Sequence, residues 1–154
     1  MKHLLMKQFN TDETWAPVVL RVMMGLVMFP HGAQKLLGWY GGVGFSKTVG
    51  MFTGNGMPWI VAVLVILGES IGMLSLIAGF MTRFCAGSLV VIMLGAIGLV
   101  HFPHGFFMNW FGNQAGEGYE YHLLVIAICV ALTITGGGRA SVDGAIAKQC
   151  DCKG

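Results

Sequence analysis

The sequence predicts an all-α integral membrane protein, a bundle of four transmembrane helices with both termini in the cytoplasm. Of its 154 residues, 55% are hydrophobic and only 10% are charged, whereas about a quarter of the residues in a soluble domain are charged. So few charged side chains cannot cover the surface of a water-soluble domain, which excludes disordered chains and secreted disulfide scaffolds. The net charge of +2 also excludes the basic surface of a nucleic-acid-binding protein.

Four apolar segments account for the predicted bundle. Residues 15–37, 58–80 and 82–102 are each long enough for a helix, at about 1.5 Å per residue, to cross about 30 Å of hydrocarbon. The fourth segment, residues 119–136, lies near the lower limit of length for a span. The first is too long for a cleavable signal peptide and contains Arg21, so we expect it to stay in the membrane.

The positions of Lys and Arg predict the orientation. Those on the side of the termini are Lys2, Lys7, Arg83, Arg139, Lys148 and Lys153. The loops on the other side contain Lys47, with Lys35 at the edge of the first loop. Because positive residues accumulate on the cytoplasmic side of a membrane protein, this asymmetry places both termini in the cytoplasm.

The first span carries polar residues on a single helical face. A charge at the centre of a membrane helix costs about 2.5–3.5 kcal/mol, so each one needs a partner or a function. The spacing of one set of residues directs them toward the bundle interior: Arg21, Met24, Met28, His31 and Lys35. Pro30 lacks a backbone donor, which predicts an interruption of the helix and a small polar cavity beside His31.

The second span contains a carboxylate, Glu69, near its middle. It lies beside a stripe of small residues that would let a neighbouring helix approach closely: Gly68, Gly72, Ser75 and Gly79. We expect Arg21 or His31 to compensate its charge. Two interpretations remain open, a buried ion pair that fixes helix register and a titrating carboxylate on a proton or substrate path.

The predicted topology collects ionisable side chains in the outer third of the bundle. They are His31, Lys35, His101, His104, Glu120 and His122. Such a layer can hydrogen-bond a quinone head group, ligate haem or bind a metal, or it can anchor the helices at the interface without a ligand. We predict no metal site, because the sequence has no His-x-x-x-His pair on one helix.

The connecting segments differ in composition. Residues 38–57 are rich in glycine and predict a flexible turn, whereas residues 104–118 are rich in aromatic rings and predict an interfacial belt or a lid. Residues 1–143 are predicted to form a single membrane domain, followed by a polar cytoplasmic tail, residues 144–154. In that tail, Cys150 and Cys152 are candidates for a reactive dithiol, a sulfur carrier or a soft-metal clip, and the alternative is a tail without a role.

Several short motifs occur in an order that resembles the DoxX family of small four-helix membrane proteins. The motifs are Leu20-Arg21, His31-Gly32-Ala33-Gln34-Lys35-Leu36-Leu37-Gly38, Gly68-Glu69-Ser70-Ile71-Gly72, Gly79-Phe80-Met81-Thr82-Arg83, His101-Phe102-Pro103-His104-Gly105-Phe106-Phe107, Gly118-Tyr119-Glu120-Tyr121 and Gly138-Arg139-Ala140-Ser141-Val142-Asp143. The resemblance covers about residues 15–143 and leaves the cysteine-bearing tail outside.

The resemblance implies a redox-linked protein of a bacterial or archaeal cytoplasmic membrane. Members of the family include the membrane subunit of a thiosulfate:quinone oxidoreductase, and some are associated with a sulfurtransferase. A quinone or a small sulfur compound is therefore the expected ligand, with a partner redox subunit, a sulfurtransferase or a second copy of the chain beside the bundle. The family motifs place the site at Arg21, His31, Gln34, Lys35, Glu69, His101, Glu120 and Tyr121.

Within this hypothesis, Glu69 and Glu120 are the candidate catalytic groups, because carboxylates can accept or pass protons. Lys35 and the histidines would hold an anionic or carbonyl-bearing ligand. Two other functions are open from the sequence: a transporter of protons or small molecules, and a non-catalytic scaffold or cargo-binding protein.

Overall fold

A computed structural model describes residues 8–151, with side chains up to residue 149, and this range contains helices and no strand. The helices are α1 (Ala16–Leu36), α2 (Phe45–Gly54), α3 (Trp59–Ala78), α4 (Thr82–Ala96), α5 (Glu120–Thr135) and α6 (Val142–Asp151). A π-helical turn, Ile97–His101, and a 3-10 turn, Phe102–His104, continue α4. The predicted all-α bundle is confirmed.

Between residues 8 and 151, three helical segments are long and apolar enough to cross a membrane: Ala16–Leu36, Trp59–Ala78 and Thr82–His104. Helix α5 is apolar but shorter, as the sequence predicts. The third segment continues through Pro103, because this residue lies in the first turn of the 3-10 helix, where proline is tolerated. It ends at His104.

Helices α1 and α3 approach each other through glycines of α1. A Cβ atom at Gly32 would overlap the backbone of Glu69, and one at Gly25 would overlap the side chain of Ile77. The stripe predicted on the second span is therefore not the surface of closest approach. Gly68 instead faces Ile92 of α4, and Gly79 ends α3 in the left-handed conformation that glycine adopts most easily.

The core confirms the predicted interior face of α1 along most of its length. Arg21, Met24 and Met28 are buried, Lys35 is half-buried and His31 is exposed. Helix α1 continues through Pro30 to Leu36, as the predicted span of residues 15–37 requires, and proline removes one backbone donor within it. A single lost backbone hydrogen bond does not end a membrane helix when neighbouring helices hold both of its halves.

Two short helices lie where the sequence predicts irregular structure. Helix α2 occupies the glycine-rich first loop and buries Thr48 and Val49. Helix α6 begins inside the predicted membrane domain and extends into the predicted tail. The side chain of Cys150 and all of Cys152 lie outside the described residues.

Candidate functional site

Charged and polar side chains collect at the two ends of the bundle. The terminal end contains the turn of residues 79–81 and the segment of residues 136–141. The loop end contains the segments of residues 37–44 and 105–119. The two ends use different partners for their charges, and this difference identifies the candidate site.

At the terminal end, the buried Arg21 binds backbone carbonyls. Its guanidinium donates to Gly137 O at 2.7 Å, to Ala140 O at 2.9 Å and to Ile77 O. It thereby satisfies carbonyls at or beyond the ends of α3 and α5, which lack intrahelical partners. Arg21 lies about 21 Å from Lys35 along the helix axis, so the structure does not bring it to the other predicted ligand-binding residues.

Asp143 is a further buried charge at the terminal end, and its role was not predicted from the sequence. The carboxylate is buried and accepts hydrogen bonds from Met81 N at 2.7 Å and Thr82 N at 2.8 Å. It therefore caps the first turn of α4 from a distant segment, where a negative charge also interacts favourably with the helix dipole. The sequence shows an acidic residue after the last span and gives no sign of its partner.

At the loop end, Lys35 of α1 forms an ion pair with Glu69 of α3. The expectation that Arg21 or His31 compensates Glu69 is therefore wrong. Gly32 lies against the backbone of Glu69, and Lys35 lies three residues further on the same helical face, within reach of the carboxylate. The Glu69 side chain is 6% exposed and that of Lys35 is 27% exposed, so one partner remains accessible.

A row of rings extends from this pair across the bundle. The ring centroids of His31 and Tyr121 are 6.3 Å apart, those of Tyr121 and His122 are 5.9 Å apart, and those of His122 and His101 are 4.0 Å apart. His31 precedes Lys35 by four residues on α1, so the two side chains lie on the same face of the helix, one turn apart. We call these six residues the polar layer: His31, Lys35, Glu69, His101, Tyr121 and His122.

The hydrogen bonds of the polar layer are incomplete. Tyr121 donates its hydroxyl to Met28 Sδ at 3.1 Å, and His101 Nδ1 lies 2.8 Å from Glu117 O. His122 is buried, and its Nδ1 has no hydrogen-bond partner among the described residues. An unpaired buried nitrogen is costly, so this part of the layer retains capacity for a further polar partner.

The other predicted site residues at this end contact the loops. Gln34 donates its side-chain amide to Tyr40 O at 3.2 Å, and His104 packs against Gly116. The Glu120 carboxylate accepts hydrogen bonds from Met108 N and Trp110 Nε1, each at 3.2 Å. His104 and Glu120 therefore contact segment 105–119, and Gln34 contacts segment 37–44.

The donor set of the polar layer suits a ligand with oxygen acceptors. Lys35 and His31 are accessible donors, and a quinone carbonyl or an oxygen of a small sulfur oxyanion is an acceptor. Among the described residues, no group of three or more His, Cys, Asp or Glu side chains is placed to hold a metal ion.

The fold and this layer define a multi-pass membrane protein with a polar site among its helices. The chain belongs to the DoxX family, whose family model, described as DoxX, matches residues 16–102. That match includes His31, Lys35, Glu69 and His101 of the polar layer, whereas Tyr121 and His122 lie beyond it.

One relative is a protein of Bacillus subtilis (strain 168) whose printed name is "Putative oxidoreductase CatD". The chain is 30% identical to it over 116 residues, which cover 75% of this chain and 77% of the relative. No solved structure matches the chain.

Proposed function

We propose that this DoxX family protein is a redox-linked subunit that binds a quinone or a small sulfur compound in the polar layer. One observation carries the proposal: the ion pair between Lys35 of α1 and Glu69 of α3 lies one helical turn from His31, whose ring is 6.3 Å from that of Tyr121 of α5. Charges at membrane depth that are partly accessible and paired through side chains are typical of functional sites.

In this proposal, Lys35 is the principal ligand-binding group. An ammonium has three donors, and Glu69 uses one of them. The exposed His31 is a second donor close to the same charges. A carbonyl or oxyanion oxygen would bind between them, and both ligand classes supply such an oxygen.

Glu69 is the proposed proton carrier. A quinone takes up protons when it is reduced, and Glu69, once its carboxylate has taken up a proton, is placed to deliver that proton to the bound oxygen. The rings of Tyr121, His122 and His101 follow one another toward the backbone oxygen of Glu117, and water molecules that bridge these rings would complete a route for replacing the proton. Glu120 holds segment 105–119 in this proposal, because its carboxylate is hydrogen-bonded to that segment.

We place the protein in the cytoplasmic membrane of a bacterium or archaeon, with the termini inside and the loop end outside. A partner redox subunit would exchange the electrons, and a sulfurtransferase, the alternative partner, would exchange the small sulfur compound. Labelling of Cys150 and Cys152 with a membrane-impermeant thiol reagent in inside-out vesicles, and protection of both in intact cells, would support this orientation. Labelling in intact cells would contradict it.

The binding proposal is tested with purified protein in mild detergent. Decylubiquinone and thiosulfate are titrated separately by calorimetry, and an organic extract is analysed for a co-purified quinone. We expect one of the two ligands to bind, and we expect Lys35→Gln and Glu69→Gln each to weaken that binding about tenfold. Lys47→Gln, which removes an exposed lysine of α2, is the matched control and should leave binding unchanged.

Binding that all three variants retain equally, or no binding of either ligand, would contradict the proposal. Helix content by circular dichroism and elution as a single species establish that each variant is folded.

Proton transport is a second candidate, favoured by the buried carboxylate of Glu69 in α3 and by the titratable rings of His31, Tyr121, His122 and His101, whose neighbouring centroids are 4.0–6.3 Å apart. It predicts proton flux in proteoliposomes that Glu69→Gln abolishes. A bundle that binds quinone and shows no flux would separate the two functions.

A further inference from the structure

A cleft of about 450 Å³ opens between α5 and segment 105–119. It lies beside the polar layer and shares one wall with it, the ring of Tyr121. The other main walls are Phe106, Trp110, Glu120, Leu123 and Leu124. Its volume is in the range of cavities that bind small organic molecules, about 300–1,000 Å³.

Glu120 is the charged residue in the lining of this cleft, and its charge is not compensated. The two hydrogen bonds that it accepts come from neutral donors, Met108 N and Trp110 Nε1, and both reach the same oxygen, Oε1. Among the described residues, none forms an ion pair with Glu120. The segment between Pro103 and Tyr119 contains no Lys or Arg. The lining of the cleft is almost wholly apolar, and the uncompensated carboxylate of Glu120 lies at its wall.

The aromatic walls, like Glu120, favour a positively charged ligand. The faces of Trp, Tyr and Phe rings carry partial negative charge and attract organic cations, and such rings form the cages that bind quaternary ammonium groups. Trp110 and Phe106 are both exposed at the cleft. The thioether of Met108 adds a polarizable contact.

The outer wall determines how a ligand reaches the cleft. Leu123 and Leu124 are exposed on the side of α5 that faces away from the bundle core, where hydrocarbon surrounds a membrane helix. A ligand that partitions into the bilayer can reach the cleft sideways, whereas a small inorganic cation would lose its hydration there without enough oxygen ligands.

We propose that this cleft binds a lipophilic organic cation: a delocalised or quaternary cation that carries aromatic or aliphatic groups. Its charge lies against Glu120 and the ring faces, and its apolar groups fill the space along Leu123 and Leu124. This inference does not depend on the proposed redox function, because it uses a different cleft and a different carboxylate.

The test compares two probes of similar shape and opposite charge, tetraphenylphosphonium and tetraphenylborate. Both are titrated by equilibrium dialysis into the full-length protein in dodecyl maltoside, a detergent without ionic groups. We expect tetraphenylphosphonium to bind at least about tenfold more tightly than tetraphenylborate. Equal binding of the two probes would overturn the proposal, because hydrophobic partitioning alone would then explain it.

Two variants test whether tetraphenylphosphonium binds in this cleft. Glu120→Gln keeps an oxygen acceptor for Met108 N and Trp110 Nε1 but removes the charge, and it should weaken tetraphenylphosphonium binding about tenfold. The matched control is Glu117→Gln, which removes a neighbouring carboxylate that accepts from Asn109 N at 2.8 Å and does not line the cleft. The control should bind the cation like the original chain, and an equal loss in both variants would contradict the site.

A third variant keeps the proposal testable even if Glu120→Gln does not fold. Leu124→Trp fills the cleft from the exposed face of α5 and leaves the Glu120 hydrogen bonds in place. It should abolish tetraphenylphosphonium binding, and undiminished binding would show that the cation lies elsewhere. Finally, phosphatidylcholine nanodiscs are added to the protein with bound tetraphenylphosphonium. Displacement of the cation would identify the lipid headgroup as the natural occupant and would overturn the assignment to a free organic cation.

Discussion

The terminal end and the loop end of the bundle both contain buried charged groups. These groups bind backbone atoms at the terminal end and other side chains at the loop end. Arg21 and Asp143 bind backbone carbonyls and amides at helix ends. Lys35 and Glu69 bind each other, and His122 of the polar layer has an unpaired nitrogen. Backbone partners cannot be replaced without unfolding a helix end, whereas a ligand can replace a side-chain partner.

This difference teaches that a buried charge is not by itself a sign of function. The family motifs contain both kinds of residue, so the resemblance alone did not separate Arg21 from Lys35. The partner of each charge does separate them. The terminal end is expected to respond to substitution through stability, and the loop end through ligand binding.

The largest expected effect is at the terminal end. Arg21→Met leaves the carbonyls of Ile77, Gly137 and Ala140 without their charged donor, and we expect it to lower the free energy of unfolding by at least about 3 kcal/mol. The measurement is chemical unfolding in detergent, followed by circular dichroism. Arg139→Met is the control, because this exposed arginine lies over Trp15 at 5.8 Å from the ring centroid and should cost less than about 1 kcal/mol. Similar losses in both variants would contradict the structural role of Arg21.

A smaller effect is expected at the loop end. In a double-mutant cycle with Lys35→Met and Glu69→Gln, we expect the stability losses to be non-additive by about 1–3 kcal/mol, because either single change leaves the other side chain unpaired at membrane depth. The control cycle combines Glu69→Gln with Lys47→Met, whose lysine is exposed on α2, and should be additive. Additivity in both cycles would show that Lys35 and Glu69 do not interact in the bilayer or detergent.

The smallest effect is expected for an exposed pair outside the spans. The hydrogen bond and the charge of Lys148 lower the pKa of the Glu13 carboxyl below its usual 4.5. Because the pKa is lower in the folded than in the unfolded chain, the pair stabilises the fold above about pH 4.5 and this contribution is lost as the pH falls below that value. The difference in Tm between the original chain and Glu13→Gln should therefore shrink between about pH 6 and about pH 3.5. It should also shrink in concentrated salt at neutral pH, because the pair is exposed. A difference that is the same at both pH values would contradict the pairing.

Much of the fold was predictable because each membrane-spanning segment must itself be long enough and apolar enough to cross the bilayer as a helix. Length and hydropathy place the helices within a few residues of their observed bounds. The short helices α2 and α6 were not predictable in this way, because neither is long or apolar enough to span a membrane. Each depends on contacts with the rest of the fold, and the buried Thr48 of α2 and the buried Asp143 of α6 are examples.

The sequence predicted the residues of the polar layer as site residues, but it did not predict which of them form an ion pair. Helical spacing and predicted topology already collected His31, Lys35, His101 and His122 at one level. The partner of Glu69 was missed because the choice between Arg21, His31 and Lys35 depends on how far α1 is shifted along α3. That shift is set by the contact of Gly32 with the backbone of Glu69, and the glycines of α1 were not recognised as the packing surface.

The sequence by itself determined that this chain is a helical membrane protein of the DoxX family with several ionisable groups at membrane depth, because hydropathy and helical periodicity are local properties. Only the tertiary structure decided which of those groups hold helix ends and which face one another across the bundle. That decision depends on packing between distant segments, such as Asp143 on the start of α4 and Lys35 on Glu69. Neither contact leaves a periodic trace along the chain.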